Sequence, residues 1–169
     1  STTMFVYYAL KYMEEELNRL GTGSTFKAIN KESYAKIQMP DAKISEQNKF
    51  VSIAEQADKS KFVGFKSQFI EMFGNTPERA PLSSLCDTFI DGDWIESNVI
   101  TSDGIRYLTT GNVGALEYKE QGNGHISEKT FKELNCSEVF PGDMLISRLN
   151  EPIGRTCIVP NLGNRIVVA

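Results

Sequence analysis

Hydrophobic residues recur every three to four positions in two separate stretches of the 169-residue chain. The first stretch, residues 4–20 (MFVYYALKYMEEELNRL), predicts an amphipathic helix that ends at the glycines of GTGST. The second runs from Ser45, a plausible N-cap, to Gly74 and predicts one long helix of roughly 43 Å. Its apolar stripe follows the alternating steps of a heptad seam through Val51, Ala54, Phe62, Phe65, Phe69 and Met72, with Asp58 as the one polar interruption.

The pattern changes after this helix to short runs of residues that favour strands. NTPERAPL has the composition of a linker, and IRYLTTGNV, DMLISRL, TCIVP and RIVVA are strand-like runs separated by Gly, Asn and Pro. HISEKTFKEL adds one or two helical turns. The sequence therefore predicts an α+β fold, divided into residues 1–44, a spacer helix over 45–74 and a strand-rich part over 75–169.

Composition and charge narrow the classes of protein. Hydrophobic residues make up 40% of the chain and charged residues 24%, which is enough apolar material for a core. The net charge of −4 argues against non-specific binding to nucleic acid, so any DNA-contacting surface must be local. No run of about 18 apolar residues is present, and we expect a cytoplasmic protein with no membrane partner. Cys86, Cys136 and Cys157 lack metal-binding spacing and are expected to be reduced thiols.

The chain carries no pattern of catalytic or cofactor-binding residues. Phosphate-binding glycine motifs are missing, and the single histidine, His125, has no acidic or cysteine partner at a useful spacing. Asp91 and Asp93, in DGDW, are explained better by turn chemistry than by a catalytic or metal-binding carboxylate pair. We therefore expect a non-enzyme that uses no metal and no cofactor.

The order of four motifs carries more information than any one of them. LSSLCDTFIDGDW, GIRYLTTGNVGALEY, ISEKTFKEL and VFPGDMLISRLNEPIGRTCIV together resemble the opening half of a target recognition domain in the specificity subunit of type I restriction-modification systems. MFVYYAL, GST and the approach to Pro40 resemble the closing half of the same domain type, and EQ at residues 46–47 resembles the entry to its coiled-coil helix. RLNEPIGR departs from the family, which often has a glycine turn there.

The resemblance implies a non-catalytic subunit that reads a bipartite target in double-stranded DNA and positions the modification (methyltransferase) and restriction subunits. Here the closing half precedes the opening half, and a straight helix would hold the two apart. We therefore expect a homodimer whose antiparallel helices pair through Phe62, Phe65, Phe69 and Met72 and complete each recognition domain. The alternative is a monomer in which the helix bends, which Gly64 permits.

Several polar residues are candidates for contact with DNA. They are Arg106, Thr110 and Asn112 in the first strand-turn, Arg148 and Arg155 around the second, and Ser24, Thr25 and Lys27 in the glycine loop. The alternative is a polar turn at 111–112 with Arg106 in a surface ion pair. Gln47, Lys59 and Lys66 lie on the helix face that would meet the modification subunit, or would only be solvated. The competing function is a truncated or decoy specificity fragment that dimerises or binds its partner without reading DNA.

Overall fold

The chain folds into two compact units in a computed structural model, which describes residues 2–22, 28–56, 62–149 and 152–169, with the side chains of residues 2 and 62–67 left out. Unit 1 comprises Ser1–Phe89 and Asn150–Gly154, and unit 2 comprises Ile90–Leu149 and Arg155–Ala169. Helices and small sheets are both present, so the predicted α+β class is confirmed. Within the described ranges, no helix is long and apolar enough to cross a bilayer.

Helices form most of unit 1. They are α1 (Thr2–Tyr12), α2 (Glu14–Leu20), α3 (Lys31–Ala35), α4 (Ile44–Gln56) and α5 (Phe62–Phe73). A short antiparallel pair joins β1 (Gln38–Pro40) to β2 (Arg79–Pro81), with Met39 opposite Ala80. The helix predicted over residues 4–20 is therefore two helices, which meet at a turn at Met13.

An aromatic cluster holds α1, α4 and α5 together. Phe50 of α4 lies with its ring centroid 6.0 Å from Phe5 of α1 and 5.3 Å from Phe69 of α5. Phe73, one turn further along α5, lies 5.4 Å from Phe50 and 5.2 Å from Phe5. All four rings are buried. Burial of each stabilises the fold by about 1.5–3 kcal/mol, so this cluster is the main source of cohesion among the three helices.

The prediction of one straight helix from residue 45 to residue 74 is wrong. A continuous helix would separate Phe50 from Phe73 by roughly 34 Å, whereas their ring centroids lie 5.4 Å apart. The chain is helical to Gln56 and again from Phe62, and residues 57–61 between them lie outside the described residues. Gly64 lies within α5, so the bend is not at that glycine. The physical reason is burial, because Phe69 of the heptad stripe packs with Phe50 and against Phe5 of α1 instead of lying along an exposed rod.

A segment from late in the chain also packs in unit 1. The backbone N–H of Ile153 donates to Asn18 Oδ1 at 3.0 Å, and the Ile153 side chain is fully buried. Gly154 has φ +85°, and a Cβ added there would lie 2.5 Å from Leu17 Cδ1. The expectation that the early and late segments cannot meet within one molecule is therefore wrong at this contact. The argument for a homodimer loses its premise, and the dimer itself stays a prediction.

A five-stranded sheet forms the body of unit 2, in the order β3-β5-β4-β9-β6. Its strands are β3 (Ile100–Thr101), β4 (Ile105–Leu108), β5 (His125–Ile126), β6 (Glu138–Val139) and β9 (Ile166–Val168). β4 and β9 are parallel, with Arg106 opposite Ile166, and the other pairs are antiparallel. A separate antiparallel pair joins β7 (Met144–Ile146) to β8 (Thr156–Ile158).

One short helix, α6 (Glu128–Leu134), follows β5 in unit 2. The Ser127 hydroxyl accepts from the Thr130 N–H, and Asn135 ends the helix in the left-handed conformation. Phe131 of α6 packs on the cluster of Ile105, Ile126, Cys136 and Val167. A second cluster contains Leu108, Val139, Val159 and Ile166. The central strand β4 contributes to both clusters, so its position, and that of the turn after it, is well determined.

Candidate nucleic-acid interface

A tight turn follows β4 directly and contains two of the predicted DNA contacts. Residues Thr110–Asn112 form a single 3-10 turn, with Thr109 as its N-cap. Thr109 Oγ1 accepts from the Gly111 N–H at 3.3 Å, and Asn112 Oδ1 accepts from the Thr109 N–H at 2.9 Å. This reciprocal cap satisfies backbone donors that would otherwise be unpaired. The TTGN sequence therefore fixes the conformation of the turn at the end of a central strand.

Asn112 is a structural residue of this turn. Its Nδ2 donates to the carbonyl oxygens of Lys119 and Gln121 at 2.9 and 2.8 Å, which ties the loop over residues 118–122 to the turn. Its side chain therefore uses both amide hydrogens and its oxygen, and the residue is 2% exposed. An asparagine in this state has no free edge for an adenine base. The structure supports the alternative of a polar turn at this position, and Asn112 is removed from the candidate contacts.

Arg106 is held beneath the same loop. Its Nη2 donates to Glu120 Oε1 at 2.6 Å and to the Gly122 carbonyl at 3.1 Å. The Arg106 side chain is 12% exposed and that of Glu120 is 60% exposed. Glu120 Oε2 also accepts from the Tyr118 hydroxyl at 3.0 Å. The hydrogen bond from Arg106, and to a smaller extent the one from Tyr118, lowers the pKa of the Glu120 carboxyl. Desolvation, and to a smaller extent the hydrogen bond to Glu120, raises the pKa of Tyr118.

Arg155 contacts the turn from the hairpin of β7 and β8. Its Nη2 donates to Ser147 Oγ at 3.1 Å and approaches the Thr110 carbonyl at 3.4 Å. Among the described residues no carboxylate pairs with it, and its buried Nε has no hydrogen-bond partner. The structure thus brings Arg155 and Thr110, two separately predicted DNA contacts, together, and Arg155 is a half-buried positive charge that pairs with no carboxylate of the described residues.

The remaining arginine candidate, Arg148, is engaged by an acid. Its Nε and Nη2 donate to the two carboxylate oxygens of Asp91 at 2.8 and 2.7 Å, in a bidentate pair. Asp93 accepts instead from the Ser137 N–H at 2.9 Å. The two acids of DGDW therefore have separate structural partners. In the described ranges no group of His, Cys, Asp and Glu could hold a metal ion.

Other candidates are placed differently from their predictions. Phe69 is 4% exposed and packs within its own chain, and Met72 is half-buried. Gln47 is 6% exposed and donates to the Ala42 carbonyl at 2.9 Å, so it cannot present a surface to a partner. Three sets lie outside the described residues or side chains: Ser24, Thr25 and Lys27; Lys59; and the side chains of Phe62, Phe65 and Lys66. Those positions stay predictions.

The three cysteines are free thiols, as expected. Cys157 is fully buried on β8, and burial raises the pKa of its thiol to about 11. Its Sγ lies 3.9 Å from the Asn112 carbonyl, on the core side of the turn. Because the thiolate is the reactive form, Cys157 is an inert packing residue behind the turn.

Sequence reasoning missed the residues that surround the candidate arginines. Glu120 and Tyr118 meet Arg106 across a loop, and Ser147 meets Arg155, at separations that no local pattern reveals. Acidic residues outnumber basic ones in unit 2, so Arg155, which pairs with no carboxylate in the part of the chain that the structure describes, is a local exception. No protein-family profile, curated protein or solved structure matches the chain.

Proposed function

We propose that the chain is a non-catalytic DNA-recognition component of a type I restriction-modification complex. The order and spacing of the motifs support this, through their resemblance to the specificity subunits of such systems. A role on chromosomal DNA suits a cytoplasmic protein, as do three free thiols. The proposed partners are double-stranded DNA and the modification subunit. A helical rod that sets the distance between two half-sites is not part of the proposal, since the helix folds back.

The observation that carries the proposal is the setting of Arg155 at the turn. Among the described residues, the Arg155 guanidinium bonds only neutral oxygens, so its full charge is available to a phosphate or a guanine edge. Thr110, half-buried beside it, adds a hydroxyl that can bond a phosphate oxygen. Together the two residues form a small positive site in a unit whose charged residues are mostly acidic, which favours selective over general binding.

The experiment measures binding of fluorescent duplexes of about 30 base pairs by anisotropy, over a range of salt concentrations starting near 50 mM. A random-sequence pool and sequences selected from it are compared, with and without a type I modification subunit. Arg155→Ala should weaken binding and reduce the slope of log affinity against log salt by about 1, because one phosphate contact is lost.

The matched control is Arg165→Ala, which removes the same charge from unit 2. Arg165 is engaged by Glu128 and Glu138 and stacks on Phe131, so it is expected to leave the salt slope unchanged. Selection should enrich a defined sequence. Absence of binding to every duplex at the lowest salt concentration, with the modification subunit present, would exclude the proposal.

A second function is supported by the other two arginines. Arg106 and Arg148 are both paired with carboxylates, and unit 2 carries an acidic balance. These features favour the alternative of a decoy fragment that binds the modification subunit and reads no DNA. The same assay separates the two functions, because a decoy co-purifies with the modification subunit and lowers that complex's affinity for DNA.

A further inference from the structure

We propose that Arg106 and Tyr118 form an oxyanion receptor for a DNA backbone phosphate, and that Glu120 is its resident anion, which the phosphate displaces. The inference rests on the proposed function and deepens it, since it names a ligand class and a built-in competitor for one part of the interface. Sequence reasoning named Arg106 as a candidate for contact with phosphates or base edges, and it did not single out Tyr118 or Glu120.

The receptor consists of two donors aimed at one anion. Arg106 Nη2 donates to Glu120 Oε1 at 2.6 Å, and the Tyr118 hydroxyl donates to Oε2 at 3.0 Å. The two oxygens of the carboxylate are thus shared between two different donor groups. A phosphodiester presents two non-bridging oxygens on one centre in the same way, so it can occupy the same pair of donors.

The donors are fixed, whereas the anion is exchangeable. Arg106 lies on β4, between β5 and β9, and its N–H bonds the Arg165 carbonyl at 3.0 Å. Tyr118 packs on the cluster that contains Leu108 and Val159. The Glu120 side chain is 60% exposed, against 12% for Arg106. An exposed carboxylate can rotate into water without moving the backbone, and the loop stays tied to Asn112 at residues 119 and 121.

The Arg106 guanidinium does not use all of its donors. Its Nε is buried and has no hydrogen-bond partner among the described residues. The same two hydrogen bonds, from Arg106 and then from Tyr118, lower the pKa of the Glu120 carboxyl, as expected where two donors favour a negative charge. The resident glutamate neutralises the site when no DNA is bound, and the competition between Glu120 and phosphate then sets how strongly any duplex is held.

The test compares Glu120→Gln with Glu117→Gln, which removes the same charge from an exposed position in the preceding turn. Binding of a random-sequence duplex is measured by anisotropy against salt concentration, with folding checked by circular dichroism. Glu120→Gln should tighten binding about three- to tenfold at low salt and steepen the salt slope by about 1, since Arg106 no longer has an internal counter-ion. Glu117→Gln should change affinity less than about twofold.

Two further variants assign the gain to the receptor. In Arg106→Gln/Glu120→Gln and in Tyr118→Phe/Glu120→Gln, the gain of the Glu120 variant should be lost or reduced, because one donor is missing. Equal effects of Glu120→Gln and Glu117→Gln, with wild-type binding intact, would overturn the receptor and leave the proposed function standing. If neither wild type nor Glu120→Gln binds any duplex, both fall. If only Glu120→Gln binds, the receptor is supported and its resident anion blocks the wild-type site.

Discussion

The folding back of α5 on α4 can be tested through the pair Phe50 and Phe73. Their rings lie 5.4 Å apart at an interplanar angle of 83°, an edge-to-face contact, and both side chains are buried. Each Phe→Ala substitution should lower the free energy of unfolding by about 3–5 kcal/mol through lost burial and the cavity left behind. The aromatic pair itself should appear as a coupling of about 0.5–1.5 kcal/mol in a double-mutant cycle.

The assay is urea unfolding followed by far-UV circular dichroism for the wild type, the two single variants and the double variant. A continuous helix would hold the two residues roughly 34 Å apart, and their effects would then add within about 0.3–0.5 kcal/mol. Phe50 with Phe140 is the control pair, because Phe140 is 58% exposed and belongs to unit 2. That pair is expected to show no coupling.

Protein concentration distinguishes contact within one chain from contact between two. Antiparallel pairing of two straight helices could also bring these rings together, but the unfolding midpoint would then rise with concentration. We expect a coupling in the range above and a midpoint that does not change over about a tenfold range of concentration. Additive effects, or a coupling found only where a dimer is present, would refute the folded-back arrangement.

Three further predictions concern unit 2. Asn112→Ala should lower the free energy of unfolding by about 2–4 kcal/mol, since it removes three hydrogen bonds. Asn123→Ala, at an exposed position, should lower it by under about 0.5 kcal/mol. Equal shifts in the melting temperature of the two variants would contradict this. Cys157, whose thiol pKa is raised to about 11, should react with iodoacetamide only in denaturant, as read by mass spectrometry; labelling of the native protein would show that the thiol is accessible. Its contribution to stability should be complete at pH values below the ordinary thiol pKa of 9.0 and should be lost as the pH rises through 11. Gly104→Ala should lower the melting temperature far more than Gly163→Ala. Both glycines have positive φ, but only at Gly104 would the new Cβ lie 2.5 Å from a backbone oxygen, that of Ile126. Similar melting temperatures for the two variants would contradict this prediction.

Local pattern was sufficient for four strands and the helix of unit 2, but not for β3, β5 and β6. The runs IRYL, MLI, TCI and IVV are all strands, each shorter than the strand-like run predicted around it. α6 begins at its Ser127 cap and ends at Asn135, within the segment predicted to be helical. These features depend on residues within a few positions of each other, which is the range over which propensity and capping act.

Pairing and partner choice were beyond local pattern. A heptad stripe shows that a helix has an apolar face, but it does not show whether that face meets another chain or folds onto α1. Asn112 has the same neighbours in sequence whether its amide reads a base or bonds a loop. Its role was decided by the carbonyls of Lys119 and Gln121. The pairing of Arg106 with Glu120 likewise depends on that loop.

The parallel pairing of β4 with β9 has a consequence for how the protein is made. The two strands are about sixty residues apart in the chain, yet β9 lies in the sheet between β4 and β6. During translation, β4 and β6 emerge from the ribosome well before the strand that separates them. Until Val168 has been synthesised, each presents an unpaired edge of backbone donors and acceptors to its surroundings. A nascent chain in that interval is the species most exposed to aggregation and to chaperones.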